Sequence, residues 1–371
     1  MIVHMSPGIP KEHAHTDAVM QKARRYGLNP EIHTEEGSRF VAVEVYLKDG
    51  TTAASSLPEY LFEMEGVERV VRVSPSKVSA AMNGDREHHI LEIGSAKIGP
   101  GNPCLLVSGP CAIDKYMSKT VEMLLKAGIK HVRGGWRKPR SRAEAFRGFG
   151  SDGLEDFFRV CQANGVESVW TEVIESPDVD IVRKLRDRTH FKGDIVLWVG
   201  ARNVGNYRLL EKLGQQLDFV VMLKHGLGMT RVDEVMDLAG FVLYGPMYWD
   251  TDGNLDKVKS APSGNNKLIF CVRGLQKVDQ HDPHRFHPNF SWIRELHDRS
   301  WVPVCLDPSH MAGRNNLVLE DLKNGLRYLP DVVMVESHFK PEEALCDKDQ
   351  AISPDQIEQL ASIIEEHNSN L

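Results

Sequence analysis

A chain of 371 residues, 41% apolar and 26% charged, can bury a large core and suits one big domain with a smaller one attached. Its 45 Lys and Arg against 52 Asp and Glu leave a net charge of −7, which excludes a general binder of nucleic acid or acidic membranes and makes any basic cluster a local device. No apolar run approaches the roughly 20 residues of a membrane span, the start MIVHMSPGIPKEHAH lacks the regions of a signal peptide, and Cys104, Cys111, Cys161, Cys271, Cys305 and Cys346 show no C-x-x-C spacing, so a cytoplasmic protein with reduced thiols is expected.

The first 80 or so residues read strand (MIVHM), helix (HAHTDAVMQKARRYGL), two strands (PEIHT, RFVAVEVYL), helix (LPEYLFEMEGV) and strand (ERVVRVS). That βαββαβ order is the ferredoxin-like plan. The polar, aperiodic stretch SPSKVSAAMNGDREHH then reads as a linker. The expected domains are residues 1–85 and 86–371. LEIGSAKIGPGNP follows and alternates around turn formers, as a hairpin closing the amino-terminal face of the next domain would.

Beyond it, short apolar strands alternate with amphipathic helices: CLLVSG, KHVRGG, ESVWTEV, DIVLWVG, DFVVMLK, LIFCVRG, VPVCLDP and DVVMVES, separated or followed by helices such as SKTVEMLLKAG, GLEDFFRVCQANG, SPDVDIVRKLRDR and ISPDQIEQLASIIEEH. Eight such repeats predict an α/β protein with a (β/α)8 TIM barrel, whose catalytic groups gather at the carboxyl ends of the strands. The connection 244–266, between the fifth helix and the sixth strand, is rich in turn formers and unusually long.

The strand ends carry the chemistry. Arg133 and Lys138 follow strand two in HVRGGWRKPRS, Arg202 follows strand four, Lys224 ends strand five and Arg273 follows strand six. A lone arginine there is usually an ion-pair residue; five converging cations repel one another unless an anion or acidic partners offset them. Guanidinium and ammonium groups match phosphate oxygens in geometry and charge. A second set, Cys111, His310, Glu336 and Asp347, offers a thiolate, an imidazole and two carboxylates, a mixed donor set suited to Mn, Fe, Co or Zn better than Ca. Singly, Cys111 reads as a small buried hydrophobe and Asp347 as a solvated acid. Their shared location favours a metal. Pro139, Arg140 and Ser141 after Lys138 form a weaker signal for a second phosphate or sugar group.

With SGPC, RGGWRKPRS, GARN, LDPSH, VES and ALCD in this order, nearly the whole chain resembles the 3-deoxy-D-arabino-heptulosonate 7-phosphate (DAHP) synthases, in the type I form with an amino-terminal ferredoxin-like regulatory domain. The resemblance implies a metal-dependent barrel, opening the shikimate route, that condenses phosphoenolpyruvate with erythrose 4-phosphate and releases phosphate. It also implies that Cys111, His310, Glu336 and Asp347 ligate the metal, that Arg133, Lys138, Arg202, Lys224 and Arg273 surround phosphoenolpyruvate, and that Lys138 transfers the proton. The K-P-R-S form of the loop, with Arg140 and Ser141, favours erythrose 4-phosphate. Asp307, beside Pro308, is a candidate to orient the aldose or a proton relay. Feedback by an aromatic amino acid and a dimer or tetramer are further implications.

Some residues depart from the family pattern: His225 after Lys224, Val272 before Arg273, and HRFHPN with Asn289 where an acid is usual. They bear on the aldehyde pocket, so arabinose 5-phosphate or another aldose is the same-class alternative. A catalytically silent metabolite-binding barrel is the rival from another class, and loss of a metal ligand or of Lys138 would favour it. The histidines at 281, 284 and 287 lie in a Pro-containing loop over the expected site, where substrate contact or a lid role is expected before ligation.

Overall fold

The computed structural model describes residues 2–25, 28–34, 41–46, 61, 63–71, 89–140, 143–244, 248–253, 264–277, 279 and 281–371. Its contacts group the chain into two units, Met1–Ser76 and Lys77–Leu371. The boundary expected near residue 85 lies outside the described residues, as do residues 57–60 and 62 of the expected second amino-terminal helix, while 63–66 form turns and 67 begins a strand.

The first unit contains β1 (Ile2–Met5), α1 (Ala14–Arg25), β2 (Asn29–Thr34), β3 (Val41–Tyr46) and β4 (Val67–Val71). The strands form an antiparallel sheet in the order β2-β3-β1-β4, the order a βαββαβ chain requires when its strands interleave. Helix α1 carries Asp17 in its first turn and Lys22, Arg24 and Arg25 in its last, each sign placed where the helix dipole favours it. It buries Val19, Met20 and Ala23 against Val3, Met5 and Val43 of the sheet.

The second unit begins with a hairpin, β5 (Leu91–Ile93) and β6 (Ala96–Ile98), paired antiparallel. Eight strands follow: β7 (Leu105–Gly109), β8 (His131–Arg133), β9 (Ser168–Val173), β10 (Asp194–Val199), β11 (Val220–Lys224), β12 (Leu268–Val272), β13 (Val304–Leu306) and β14 (Val332–Glu336). They close into a parallel barrel in chain order, β14 pairing with β7. All eight expected strands are present. Helices α2 (Met117–Lys126), α3 (Gly150–Ala163), α4 (Ser176–Thr189), α5 (Tyr207–Gly214), α6 (Val232–Tyr244), α7 (Ser291–Arg299), α8 (Pro308–Ala312), α9 (Asn315–Leu326) and α10 (Pro354–Ser369) separate or follow the strands. Among the described residues no helix is long and apolar enough to cross a membrane.

Strands covered on both faces read as continuous apolar runs, and alternation then sorts the residues between two cores. In β10, Ile195, Leu197 and Val199 join the layer packed under the helices, while Val196 and Trp198 point into the barrel. In β12, Leu268, Phe270 and Val272 face outward and Ile269 and Cys271 inward. The hairpin plugs one end: Leu91, Ile93 and Ile98 join the interior core. Its turn is fixed to the amino-terminal ends of β9 and β10, with Gly94 N donating to Asp194 Oδ2 at 2.6 Å and Ser95 N to Glu167 Oε2 at 2.9 Å. With that end sealed, the carboxyl end is the open one.

Candidate active site

The inward phase of each strand sets what enters the mouth. Two residues beyond inward His131, Trp170, Met222, Cys271, Cys305 and Met334 come Arg133, Glu172, Lys224, Arg273, Asp307 and Glu336, all 4% exposed or less. The same step beyond Trp198 reaches Gly200, where a Cβ would lie 2.3 Å from Glu172 Oε1. A glycine there leaves room for the carboxylate.

These residues border a cavity of about 360 Å3. Its lining includes all five expected cations, Arg133, Lys138, Arg202, Lys224 and Arg273, together with Arg140, His310 and Asp347. Arg140 and Arg202 are exposed at its rim. Ser141 lies outside the described residues. Acidic partners offset some of the charge: Lys138 Nζ donates to Glu172 Oε2 at 2.7 Å, Lys224 Nζ to Asp307 Oδ2 at 2.6 Å, and Arg133 Nη2 to Glu336 Oε1 at 3.0 Å. The offset is incomplete. Nε and Nη1 of Arg133 and Nη1 of Arg273 are buried with no hydrogen-bond partner among the described residues. Buried guanidinium N–H groups without acceptors are costly unless a ligand supplies them. Burial lowers Arg273 to about 10, which leaves it cationic at neutral pH. Burial also works against the Lys138 ammonium, but the Cys111 sulfur and the Glu172 carboxylate outweigh it and hold Lys138 well above the ordinary lysine value. Lys138 is therefore an ammonium at neutral pH.

The second set lies beside the cations. His310, Glu336 and Asp347 bring one nitrogen and two carboxylate oxygens within 4.8 Å of one another, and Cys111, Cys346 and Asp347 do the same with their sulfurs and oxygen. Cys111 Sγ donates to Asp347 Oδ2 at 3.1 Å and lies 2.6 Å from Cys346 Sγ. The Cys346 hydrogen bond, burial and the Glu336 charge push the Cys111 thiol up, so a thiolate there needs a cation beside it. Burial would raise Asp307, yet His310, Lys224 and Arg133 hold its carboxyl well below the usual range. Being ionised, it only accepts, so His310 Nδ1, 2.8 Å from Asp307 Oδ2, carries the proton. The lone pair of Nε2 then faces Glu336, 3.8 Å away. A carboxylate that fixes the imidazole tautomer in this way is the usual companion of a metal-ligating histidine. The donors present fit a divalent ion. Asp307 is fully buried and bonded to Lys224 and His310.

The departures from the family pattern gather around Arg273. His225 Nε2 accepts from Arg273 N at 3.1 Å, and burial and the Arg273 charge lower its pKa to about 3, so it is a neutral support and adds no cation. Asn289 Oδ1 accepts from Gly274 N at 3.1 Å, and Val272 packs outward under the helices. Most of the 244–266 connection lies outside the described residues. Glu172, Arg285, Cys346 and Gln350 belong to the site without having been expected there.

Fold and pocket together define a (β/α)8 enzyme built to hold a phosphorylated anion beside a mixed-donor ligand cluster. The chain belongs to the DAHP synthetase I family, whose family model matches residues 77–371. It is 28% identical over 354 residues to the phospho-2-dehydro-3-deoxyheptonate aldolase of Thermotoga maritima, covering 95% of this chain and 93% of that protein. A 2-dehydro-3-deoxyphosphooctonate aldolase of Francisella philomiragia is 23% identical over 301 residues, covering 74% of this chain and 95% of the relative. The crystal structure of the Thermotoga maritima DAHP synthase matches at a TM-score of 0.66 and 26% identity, covering 100% of this chain and 96% of that one. A truncated form of the same synthase matches at 0.58, covering 76% of this chain and 91% of its own.

Proposed function

We propose that this chain condenses phosphoenolpyruvate with erythrose 4-phosphate to give DAHP and inorganic phosphate, the entry step of the shikimate route, in the cytoplasm. The carrying observation is the partly unsatisfied cation cluster at the barrel mouth, with Arg133 and Arg273 presenting buried N–H groups that lack acceptors among the described residues. Phosphoenolpyruvate is a polyanion with a latent nucleophilic carbon. Arg133, Lys138, Arg202, Lys224 and Arg273 hold its carboxylate and phosphate, and Arg140 and Ser141 receive the phosphate of the aldose. Fixing both substrates turns an encounter between two anions into a reaction within one site.

C3 of phosphoenolpyruvate attacks the aldehyde carbon, forming the new C–C bond, while Lys138 gives a proton to the aldehyde oxygen. Glu172, 2.7 Å from Lys138 Nζ, holds that ammonium in place. Water adds at C2, and C–O cleavage then releases phosphate and leaves the 2-keto acid. A divalent ion held by Cys111, His310, Glu336 and Asp347 would polarise the aldehyde oxygen or orient the water. Asp307 keeps His310 in the tautomer that ligation needs.

The amino-terminal unit supplies feedback control by an aromatic amino acid. Among the described residues its antiparallel sheet has β2 and β4 at its edges, and an edge strand is a ready template for pairing with another copy, which supports a homo-oligomer. Phosphate release from phosphoenolpyruvate by manganese-loaded protein tests the assignment, with erythrose 4-phosphate, arabinose 5-phosphate or no aldehyde as acceptor. Release with erythrose 4-phosphate alone upholds it. Release only with arabinose 5-phosphate moves the chain to the octulosonate chemistry named in its more distant relatives.

A further inference from the structure

We propose that Arg285 and Gln350 are positioning residues for the metal centre, setting which oxygen of Asp347 and of Glu336 is presented to the ion. The inference rests on the reading of Cys111, His310, Glu336 and Asp347 as ligands. Arg285 Nη1 donates to Asp347 Oδ1 at 3.2 Å and to Gln350 Oε1 at 2.8 Å. Gln350 in turn donates through Nε2 to Glu336 Oε2 at 2.5 Å. Asp347 Oδ1 is thus held by Arg285 and Glu336 Oε2 by Gln350, while Glu336 Oε1, on the side of the cluster, accepts from Arg133 Nη2 at 3.0 Å. Asp347 Oδ2 accepts from Cys111 Sγ at 3.1 Å, and Glu336 Oε1 lies 3.8 Å from His310 Nε2. One guanidinium thus governs two of the four ligands, one directly and one through the amide of Gln350. Gln350 is 1% exposed, so its amide has no solvent alternative. Asp347 is held at φ +51°, a backbone conformation that a non-glycine residue keeps only when its surroundings impose it.

Arg285 reaches this point through the segment that follows β12. Its backbone N donates to the carbonyls of Met311 and Ala312, at 3.0 and 3.2 Å, on the same short helix that carries His310. The approach is close enough that a Cβ at Gly313 would lie 2.3 Å from Arg285 Cβ. One residue earlier, His284 spans two carboxylates, with Nδ1 2.8 Å from Asp282 Oδ1 and Nε2 3.1 Å from Asp321 Oδ1 on α9. Lys277 Nζ binds the carbonyls of Asp282 and His284 at 3.0 and 2.9 Å. Backbone and side-chain anchors on both sides fix the stretch of chain from which the guanidinium extends. The histidine at 284 is thus a clamp on the loop that presents Arg285.

The test is competitive titration of manganese or zinc against a chelating dye, on full-length protein carrying Arg285→Met, Gln350→Met, both changes, or His310→Ala, with thermal midpoints recorded alongside. Loss of outer hydrogen bonds to ligands typically weakens metal affinity by about 10- to 100-fold, and that is the expected effect of each single Met variant. The double variant is expected to lose less than the product of the single losses, because both residues act on one network. Gln350→Met is expected to raise the metal concentration for half-maximal activity by a larger factor than it raises the KM for phosphoenolpyruvate at saturating metal, a split that a general loss of structure would not produce. Parent-like metal affinity in both single variants, with His310→Ala defective, overturns the positioning role and leaves the metal centre standing. Parent-like affinity in His310→Ala overturns the ligand assignment and this inference with it. Were Arg285→Met to fail to fold, Gln350→Met alone decides.

Discussion

Arg133 Nη2 and Glu336 Oε1 meet at 3.0 Å inside the barrel, the arginine 1% exposed and the glutamate fully buried, and their contact joins the cations of the mouth to the cluster of His310, Glu336 and Asp347. A pair so enclosed is worth little as a source of net stability but is expensive to break from one side. It also ties the charge of one subsite to that of the other.

Arg133→Ala is therefore expected to leave the buried Glu336 carboxylate without its paired cation, at a cost of about 3–5 kcal/mol, and to raise the KM for phosphoenolpyruvate as well. Urea denaturation and steady-state kinetics on the same preparation check both effects. Unchanged stability would mean that Glu336 finds another cation or protonates.

Cys111→Ala removes a soft donor and leaves Asp347 Oδ2 without its hydrogen bond. The expected result is loss of bound metal and of metal-dependent phosphate release, with the barrel still folded because a buried thiol and a methyl group differ little in size. Elemental analysis of the dialysed protein reads the first and a phosphate assay the second; full activity would end the role given to this cysteine.

Lys138→Met keeps the length of the side chain and deletes the proton. General acid groups contribute about 10²–10⁴-fold, so kcat is expected to fall within that range while metal content stays at the parent level. A variant that lost only affinity for phosphoenolpyruvate would reduce Lys138 to a binding residue.

Deleting residues 1–76, the first of the two units, is expected to leave turnover and abolish inhibition by the aromatic amino acid. Rate measurements with phenylalanine, tyrosine and tryptophan decide it. Inhibition that persists in the shortened chain would move the effector site into the barrel.

His131 is one group expected to make stability depend on pH. It is buried at the start of β8, with Nδ1 2.8 Å from Ser168 Oγ, and burial lowers its pKa from 6.5 to about 4. A lowered value means the folded state prefers the neutral ring, so its stabilising effect is intact above pH 6.5 and is lost as pH falls through that value towards 4. The difference of 2.5 between 6.5 and about 4 corresponds to on the order of 3 kcal/mol at most. The gap between denaturation curves at pH 7 and pH 5 is expected to narrow in His131→Gln, with buried His225 supplying part of what remains; an unchanged gap would assign the acid sensitivity to other groups.

The barrel strands were legible because burial on both faces leaves uninterrupted apolar runs such as DIVLWV and LIFCV, which few other structures require. Strand-end cations stood out for the converse reason, since a charge that ends such a run must either leave the core or find a ligand. Glu172 was harder to see. It sits within ESVWTEV and enters the site only because Trp170, two residues earlier, faces inward, and that phase follows from barrel closure. Asp307 was visible in LDPSH, but its direction was not: it turns beneath the mouth to His310 and Lys224.

By itself, then, the amino-acid sequence determined the repeat of strands and helices, the family and the groups able to bind phosphate and metal, because hydrophobic period and residue chemistry are local properties. The pairings of Arg133 with Glu336 and Lys138 with Glu172, the approach of Cys346 to Cys111, and the reach of Arg285 to Asp347 and Gln350 were decided only by the tertiary structure. Each joins residues from different barrel strands or loops, and the curvature and register of the closed sheet set which of them meet. Neither quantity is written in any single segment of the chain.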